Sequence, residues 1–572
     1  MGTPRGWGTG VEGMGLDLRT GFTGPRRMGR HAYTHLQPSP GPVPALREFA
    51  PGAVHPPRRC ALQITALGHS CILLDLLNPE NGQHTRILVD PWLTDHATGD
   101  GMGRFPRARF EVDALAPIDA VFISHAHSDH LDPYTLVRLW QELVRPPVLL
   151  LPVTLAFLKP VFEAHLDGCD IRLLAPHQAM PFQGVELFGF YDIGMAPTNE
   201  DDVMVLVVRC GAEVVLVEAD ADLSLDDPQM RSFLTYLLAG PGTESAVFLT
   251  TQNELTGTVL SKDCPSLDAR GELAEHAMNE LLDAVQALYT PADDPDDLWQ
   301  CPHLLRLIHG QGLTAPHALD PRWQHILFPV RIEHRVREEQ ATAARMGCRH
   351  RVDALTVGAV HTISAGQVLS TEALGGLELL DDEAGRRFDA RLAFFPDLPC
   401  APLRTDPRDI DRQRSRILAL LDNRFLPFLH GGRAPSALHL FSAHGGSYRL
   451  RVHFGAKVED GAWDYVVGFE HPRFVEVPPA EAEPQETYWA NDLDDFLDGR
   501  CDEFSTFCRA PFPGASEQAI RLRACLATPL LNSDLVLKRV GLHFDRARSG
   551  QTPGSFVLPL YRRRGGGAAE TP

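Results

Sequence analysis

The feature that most constrains the fold is a short apolar run that ends in a histidine-rich loop. Residues 118–123 are apolar apart from Asp119, and Ser124-His125-Ala126-His127-Ser128-Asp129-His130 follows directly. A short apolar run bounded by polar sequence is typical of a central strand buried on both faces. The carboxyl end of that strand then carries three imidazoles and one carboxylate. Because Zn(II) and Fe(II) accept such donors, the loop predicts a metal site at a strand end.

The sequence around this loop alternates between strand and helix patterns. Strands are predicted over Leu62–Leu67, Cys71–Leu77, Arg86–Val89, Ile118–Ile123, Val148–Leu151, Ile171–Leu174, Val185–Phe190, Val203–Val208 and Val214–Val217. Helices are predicted over Leu131–Val144, Val153–His165 and Ser266–Tyr289. This alternation predicts an α/β fold, with two sheets enclosed by helices, rather than an all-α or all-β protein.

The length of the chain and a Pro-rich segment at 396–407 predict more than one folded unit. We expect a Gly/Pro/Arg-rich disordered leader over 1–60, a first domain over 61–395, an accessory domain over 396–562 and a disordered tail over 563–572. In the accessory domain, Asp409–Leu421 has the pattern of an amphipathic helix, and two alternating runs within 448–469 predict a pair of strands. The accessory domain is therefore predicted to be α+β.

Charge and cysteine content restrict the partners and the compartment. The formal net charge of −21 argues against nucleic acid and anionic membranes as partners, because phosphate binding needs clustered Lys and Arg. The eleven cysteines include no Cys-x-x-Cys pair, which favours a reducing compartment over a disulfide framework. The most apolar stretch, residues 147–162, is too short and too interrupted to span a bilayer. We therefore expect a cytoplasmic protein with a small-molecule substrate, and the sequence is compatible with a homo-oligomer.

Three stretches of this sequence together resemble the metallo-β-lactamase superfamily. They are Leu88-Val89-Asp90-Pro91, the His-x-His-x-Asp-His motif at 125–130, and Val215-Leu216-Val217-Glu218-Ala219-Asp220. The sequence of the motif and its flanking residues most resembles the branch containing ascorbate-phosphate lactonase, N-acyl-phosphatidylethanolamine phospholipase D and the sialic acid hydroxylase. The resemblance implies an αββα sandwich followed by the accessory domain.

The resemblance also implies the roles of individual residues. His125 and His127 would hold one metal ion, Asp129 and His130 a second, and Asp220 would bridge the two, with Asp222 as an alternative in register. Asp90 would orient the histidine loop from behind. Two zinc ions are the implied cofactor, with iron or manganese as alternatives. His69, in Gly68-His69-Ser70, either lines the site from behind the ligands or is a turn histidine.

The sequence departs from the family pattern at one ligand. The family places a further histidine between the strands predicted at 185–190 and 203–208, but residues 191–202 contain none. Glu200, Asp201 or Asp202 could supply an oxygen donor instead, which would favour a harder ion or a single-metal site, although the sequence favours a charged loop. The last metal histidine of the family lies at the end of a late strand, and His361, after the run Leu355–Val360, is the candidate for that position.

The family resemblance favours a metal-dependent hydrolase, in which a metal-activated hydroxide attacks an ester, lactone, amide or phosphoester and Asp129 also orients the nucleophile. Because a ligand histidine is missing and a further domain follows, an iron-dependent oxygenase supplied with electrons by a separate protein is an alternative. A non-catalytic scaffold with a degenerate metal site is a third. Metal content distinguishes these hypotheses.

Overall fold

The structure of the protein is a computed structural model. It describes residues 61–78, 81–95, 97, 103–104, 108–191, 203–221, 234, 238, 242–252, 303–310, 313–314, 332–379, 406–430, 447–455, 460–468, 473–481, 484–508 and 521–552. Several predictions concern residues outside these ranges: the leader, the tail, the domain boundary near 396, the helix Ser266–Tyr289, the alternative ligand Asp222 and the alternative ligands at 200–202. These stay predictions.

The strands and helices are numbered separately in chain order. The strands are β1 Ala61–Gly68, β2 Cys71–Leu77, β3 His84–Val89, β4 Gly103–Arg104, β5 Ala108–Phe110, β6 Ala120–Phe122, β7 Val148–Pro152, β8 Ile171–Leu174, β9 Met180–Phe182, β10 Val185–Tyr191, β11 Met204–Cys210, β12 Glu213–Val217, β13 Ser245–Gln252, β14 Leu304–Gly310, β15 Leu313–Thr314, β16 Arg351–Ala354, β17 Ala359–Ser364, β18 Gln367–Ala373, β19 Leu377–Leu379, β20 Ser447–His453, β21 Ala462–Gly468, β22 Val475–Val477 and β23 Glu486–Trp489. The helices are α1 Val112–Leu115, α2 Pro133–Glu142, α3 Lys159–His165, α4 Ile332–Met346, α5 Ile410–Leu420, α6 Leu426–His430, α7 Ala490–Leu497, α8 Glu503–Cys508, α9 Arg521–Leu526 and α10 Ser533–Arg548. A 3-10 segment, Val153–Leu158, precedes α3, and a π turn, Leu421–Phe425, joins α5 to α6.

Two large sheets form the first part of the molecule. One has the strand order β18-β17-β1-β2-β3-β6-β7-β8 and the other the order β16-β14-β13-β12-β11-β10-β9. Their facing sides bury one apolar core, to which Ile64 and Phe122 contribute from the first sheet and Leu206 and Leu249 from the second. Apolar side chains of α2 cover the outer face of the first sheet, and α4 packs against β14 and β16 of the second. This is the predicted αββα sandwich.

The strand predictions hold in the first part, both for β1 and β2, which are mostly buried, and for β8, which lies at the edge of its sheet with Arg172 and Leu173 exposed. The strands that the sequence predicts at 62–67, 71–77 and 171–174 correspond to β1, β2 and β8 with changes of at most one residue at each end. The helix predicted at Val153–His165 instead begins as the 3-10 segment and becomes α-helical only at Lys159, with Pro160 in the first turn of α3. Proline is tolerated there because the first helical N–H groups have no partner within the helix.

The C-terminal part has an α+β architecture of its own. Its small sheet has the order β22-β21-β20-β23, and its core joins this sheet to α5 and α7 through Ile417, Tyr448 and Leu493. Helix α10 contributes to both cores: Leu535 packs in the C-terminal core, whereas Val540 and Phe544 pack into the outer core of the first sheet. None of the helices that the structure describes is long and apolar enough to cross a membrane.

The topology brings several strand ends to the same edge of the sandwich. Strands β3 and β6 run parallel in the first sheet, and β12, β13 and β14 run parallel in the second. Parallel neighbours end at the same edge of a sheet, and the crevice beyond those carboxyl ends is where open α/β sheets bind ligands. The histidine-rich loop follows β6, so this edge is the candidate site.

Candidate metal centre

The residues of the site come from turns that leave four strands. His69 lies between β1 and β2, Asp90 directly follows β3, the motif 124–130 follows β6, and Asp220 follows β12. Asp132 caps α2 by accepting hydrogen bonds from the backbone N–H groups of Tyr134 and Thr135, which ends the motif loop. His69, Asp90 and Ala219, which precedes Asp220, have φ angles of 48°, 44° and 54°. These left-handed conformations are unfavourable for residues with a Cβ, and strain of this kind concentrates at functional sites.

Four side chains converge tightly at this edge: His69, Asp129, His130 and Asp220 each place one potential ligand atom within 4.8 Å of all the others. His69 Nε2 lies 3.1 Å from Asp129 Oδ2 and 3.3 Å from His130 Nε2. His130 Nε2 lies 2.9 Å from Asp220 Oδ2. His69, Asp129 and His130 are buried.

A second pair of imidazoles lies beside this cluster. His125 Nε2 and His127 Nδ1 are only 2.9 Å apart. His127 Nε2 is 2.9 Å from the carbonyl oxygen of Ala527, which can only accept, so the proton of His127 is on Nε2 and its Nδ1 carries a lone pair. Ser124 donates its hydroxyl to Asp90, so His125 donates Nδ1–H to Ser124 Oγ, at 2.9 Å, and keeps a lone pair on Nε2. Two lone pairs therefore face each other.

Asp90 holds the motif loop from behind. Its Oδ1 accepts from the Ser124 backbone N–H at 2.7 Å, and its Oδ2 accepts from the Ser124 hydroxyl at 2.6 Å and from His130 Nδ1 at 2.8 Å. Asp90 is fully buried. These contacts fix the proton of His130 on Nδ1, which turns Nε2 toward the cluster. Carboxylates commonly orient metal-binding histidines in this way.

Burial and the neighbouring charges shift the pKa values of the site residues in different directions. Burial, followed by the charges of His130 and His127, lowers the pKa of His125 well below 6.5. Burial also opposes the charged form of His130, but Asp220, Asp129 and Asp90 outweigh it and raise the pKa of His130 well above 6.5. Burial disfavours charge on Asp129 and Asp220, yet His130 and His69 together outweigh it and lower the pKa of both carboxyls. The site thus favours a neutral His125, ionised Asp129 and Asp220, and a cationic His130.

The donor set fits a pair of divalent cations. A cation beside His125 Nε2 and His127 Nδ1 would remove the repulsion between their lone pairs. Asp129 Oδ1 is buried and has no hydrogen-bond partner among the described residues, so it is a further available donor. Neutral imidazole and carboxylate are the ligand types that zinc, iron and manganese accept. His125 and His127 would hold one ion, Asp129, His130 and His69 the second, and Asp220 would lie between them.

The structure differs from the sequence predictions at two histidines. His69 places Nε2 within the four-residue cluster rather than behind it. His361 is not brought to the cluster: its Nε2 accepts from the Thr356 backbone N–H at 3.1 Å, and its Nδ1 lies 3.2 Å from Thr371 Oγ1. The run Leu355–Val360 is not one strand, because Gly358 adopts a φ of 80° and β17 begins after it. His361 therefore lies inside β17, paired with Ile64, and not past a strand end.

Sequence reasoning missed His309, which does lie at a strand end beside the cluster. It is the penultimate residue of β14 and is buried, and its Nε2 is 3.5 Å from Thr251 Oγ1. Its pKa is lowered to about 4, first by burial, with a hydrogen bond to the His69 backbone opposing and the charge of His69 adding to the shift. The available signal was the apolar run Leu304–Ile308 before it. However, His303 and His309 both flank that run, and the sequence does not show which one faces the site.

The sequence match to a known family covers the motif. Residues 85–191 match the model of the β-lactamase superfamily domain, a stretch that contains Asp90 and the whole of 124–130. Residues 85–191 therefore belong to a β-lactamase superfamily domain. Within this superfamily domain, the histidine-rich loop and Asp90 occupy the edge described above.

A curated relative matches a short part of this chain. A protein from Mycolicibacterium smegmatis, described as a Rieske 2Fe-2S iron-sulfur protein, is 30% identical over 77 residues. The match spans 14% of this chain and 14% of the relative. The chain therefore matches only a small fraction of the relative's length.

Two solved structures resemble the fold at low similarity. The diiron β-hydroxylase CmlA from Streptomyces venezuelae is 16% identical, with a TM-score of 0.30, and the match covers 56% of this chain and 58% of CmlA. The metallo-β-lactamase fold protein YhfI from Bacillus subtilis is 13% identical, with a TM-score of 0.29, and the match covers 54% of this chain and 100% of YhfI. Similarity at this level does not bear on the reaction.

Proposed function

We propose that this protein is a metal-dependent hydrolase that acts on an ester, lactone, amide or phosphoester bond of a small molecule. The observation that carries the proposal is the pairing of two donor groups in one crevice: the facing nitrogens of His125 and His127, 2.9 Å apart, and the cluster of His69, Asp129, His130 and Asp220. Two adjacent groups of this kind suit a two-ion site, and the match of residues 85–191 to the β-lactamase superfamily domain supports it. Zinc is the proposed metal, with iron and manganese as alternatives.

Two divalent ions held by these residues would lower the pKa of a bound water to about 7 and would stabilise the negative charge that develops on the substrate. The protein's own groups prepare the site for this chemistry. Asp129 Oδ1 is buried and has no hydrogen-bond partner among the described residues, so it can accept a hydrogen bond from the attacking water and orient it. Asp90 keeps the Nε2 atom of His130 directed at the cluster.

Other side chains around the cluster position its carboxylates. Ser70 donates its hydroxyl to Asp220 Oδ1 at 3.4 Å. Burial of His69, Asp129 and His130 keeps bulk water from the inner side of the crevice. A water-poor environment strengthens the interaction between these charges and a polar substrate bond.

Metal content and hydrolysis test this proposal together. We expect about two zinc ions per chain after growth in zinc-supplemented medium, measured by elemental analysis, and turnover within a panel of p-nitrophenyl esters, lactones and bis(p-nitrophenyl) phosphate. His130→Ala should lose one of the two ions together with turnover. His361→Ala, which removes a buried histidine outside the cluster, should keep both. A chain that binds no divalent metal would contradict the proposal.

An iron-dependent oxygenase is the second candidate. Two carboxylates beside imidazoles are also a donor set that non-haem iron accepts. The Mycolicibacterium smegmatis relative is described as carrying a Rieske cluster, which is an electron-transfer group, and an oxygenase would need electrons from such a protein. Iron as the metal retained on purification, together with oxygen consumption on addition of a reductant, would favour this candidate over the hydrolase.

A further inference from the structure

The C-terminal part of the chain contacts three consecutive residues of the metal-binding loop. Arg539 Nη2 donates to the carbonyl oxygen of Ala126 at 2.6 Å. His127 Nε2 donates to the carbonyl oxygen of Ala527 at 2.9 Å. Ser128 donates its hydroxyl to Asp502 Oδ2. The loop is therefore held from β6 on one side and from the C-terminal part on the other.

The contact at His127 decides which ring nitrogen faces the metal site. Because the Ala527 carbonyl can only accept, it holds the proton of His127 on Nε2 and leaves the lone pair on Nδ1, the atom that faces His125. The opposite tautomer would direct an N–H group toward His125 and could not bind a cation there. The Ala527 carbonyl that selects this tautomer lies 400 positions from His127 in the sequence.

A buried ion pair supports this contact. Arg539 Nη1 donates to Glu503 Oε2 at 2.8 Å, and both side chains are almost fully buried. The other oxygen, Glu503 Oε1, lies 3.9 Å from His127 Nε2 and has no hydrogen-bond partner among the described residues. A carboxylate in this position favours the Nε2–H of His127 and would stabilise the positive charge that a metal ion on Nδ1 induces in the ring.

Asp502 fixes the start of the helix that carries Glu503. Its Oδ1 accepts from the backbone N–H and the hydroxyl of Ser505 at 2.8 Å and 2.7 Å, while its Oδ2 accepts from Ser128. One carboxylate thus ties the first turn of α8 to the metal-binding loop. The contact between Asp502 and Ser128 therefore also sets the position of Glu503 relative to His127.

We infer that the C-terminal part completes the metal centre, with Glu503 and Arg539 as positioning residues and the Ala527 carbonyl as the group that fixes the His127 tautomer. The inference rests on the proposed metal-dependent function and deepens it. It predicts that the ion held by His125 and His127 depends on the C-terminal part, whereas the ion held by Asp129 and His130 does not.

Glu503→Gln tests the inference in the full-length chain. It keeps the shape of the side chain and removes its charge. We expect one of the two zinc ions to bind 10–100-fold more weakly, measured by competition with a chromogenic chelator, because removing an outer partner of a metal ligand has an effect of about this size. The other ion should keep its affinity. Arg539→Lys, which keeps the charge but loses the forked geometry, should give a smaller loss at the same ion.

Asp464→Asn is the matched control. Asp464 is a fully buried carboxylate of the same C-terminal part, paired with Arg449 and Arg451 and remote in sequence from the metal-binding loop. Its loss should lower the thermal midpoint of the metal-free protein without changing either zinc affinity. If Glu503→Gln binds both ions as tightly as the unmodified chain, the inference is wrong.

A second measurement does not depend on metal binding. In the metal-free chain labelled with 15N-histidine, nitrogen chemical shifts should report Nε2–H and an unprotonated Nδ1 for His127. An Nδ1–H tautomer would overturn the inference even if Glu503→Gln failed to fold. If the unmodified chain binds no metal but shows the expected tautomer, the proposed function fails while the tautomer assignment stands.

Discussion

Asp90→Asn is the substitution whose outcome follows most directly from the geometry. Asp90 accepts three hydrogen bonds with its two oxygens, from the Ser124 backbone, the Ser124 hydroxyl and His130 Nδ1. An asparagine keeps one oxygen for the backbone N–H, and the serine hydroxyl can rotate to accept from the new amide. The Nδ1–H of His130 cannot accept, so it would face the amide N–H with no partner in a fully buried site.

Two effects of different size should follow. Breaking a buried charged pair by changing one partner costs about 3–5 kcal/mol, so the metal-free protein should lose that much free energy of unfolding. His130 would also lose the contact that directs Nε2 to the cluster, so the affinity for the second ion should fall 10–100-fold, equivalent to about 1.4–2.7 kcal/mol.

The assay pairs urea denaturation in the presence of chelator with zinc competition on the folded protein. Asp119→Asn is the control, since Asp119 is a buried carboxylate at the other end of β6 that accepts from the Arg86 backbone N–H at 2.9 Å and from Arg145 at 2.8 Å. It should cost stability but leave zinc affinity unchanged. Zinc affinity within twofold of the unmodified chain in Asp90→Asn would refute the role assigned to Asp90.

Three further predictions follow from other parts of the structure. The double substitution His127→Ala with His130→Ala should abolish metal binding while leaving much of the circular dichroism spectrum intact; stoichiometric metal in this variant would contradict the site. Burial and the charges of Arg539 and Arg546 lower the pKa of His543 to about 3, against about 6.5 in an unfolded chain. The unfolded state therefore binds the proton first as pH falls below 6.5, and urea titrations should show stability falling by about 2 kcal/mol more between pH 7 and pH 5 than in His543→Gln; equal losses would count against this. Gly366 and Gly347 have φ angles of 67° and 70°, but only at Gly366 would a Cβ meet backbone, 2.4 Å from the His303 carbonyl oxygen. Gly347→Ala should therefore cost about 1–2 kcal/mol in thermal unfolding and Gly366→Ala distinctly more, and similar costs would contradict the packing.

The sequence alone determined the features that depend on neighbours along the chain. The strands at 62–67 and 71–77 follow from apolar runs bounded by turn residues, and the loop at 125–130 gathers four donors because they are adjacent in sequence. Asp90 and Asp220 were also identified, because each follows a recognisable apolar strand in a family pattern. These are local patterns, and they can be identified without knowledge of the fold.

Only the tertiary structure decided which distant residues join them. His69 and His309 come from opposite sheets, and neither has a local pattern that separates a ligand from an ordinary buried histidine. His361 follows an apolar run that resembles a late strand, but the left-handed turn at Gly358 divides that run and moves the histidine into the middle of β17. The Ala527 carbonyl that sets the tautomer of His127 belongs to the backbone, which every residue carries. Packing alone determines which of these groups reach the metal-binding loop, because contacts between distant segments depend on how the sheets and α10 assemble.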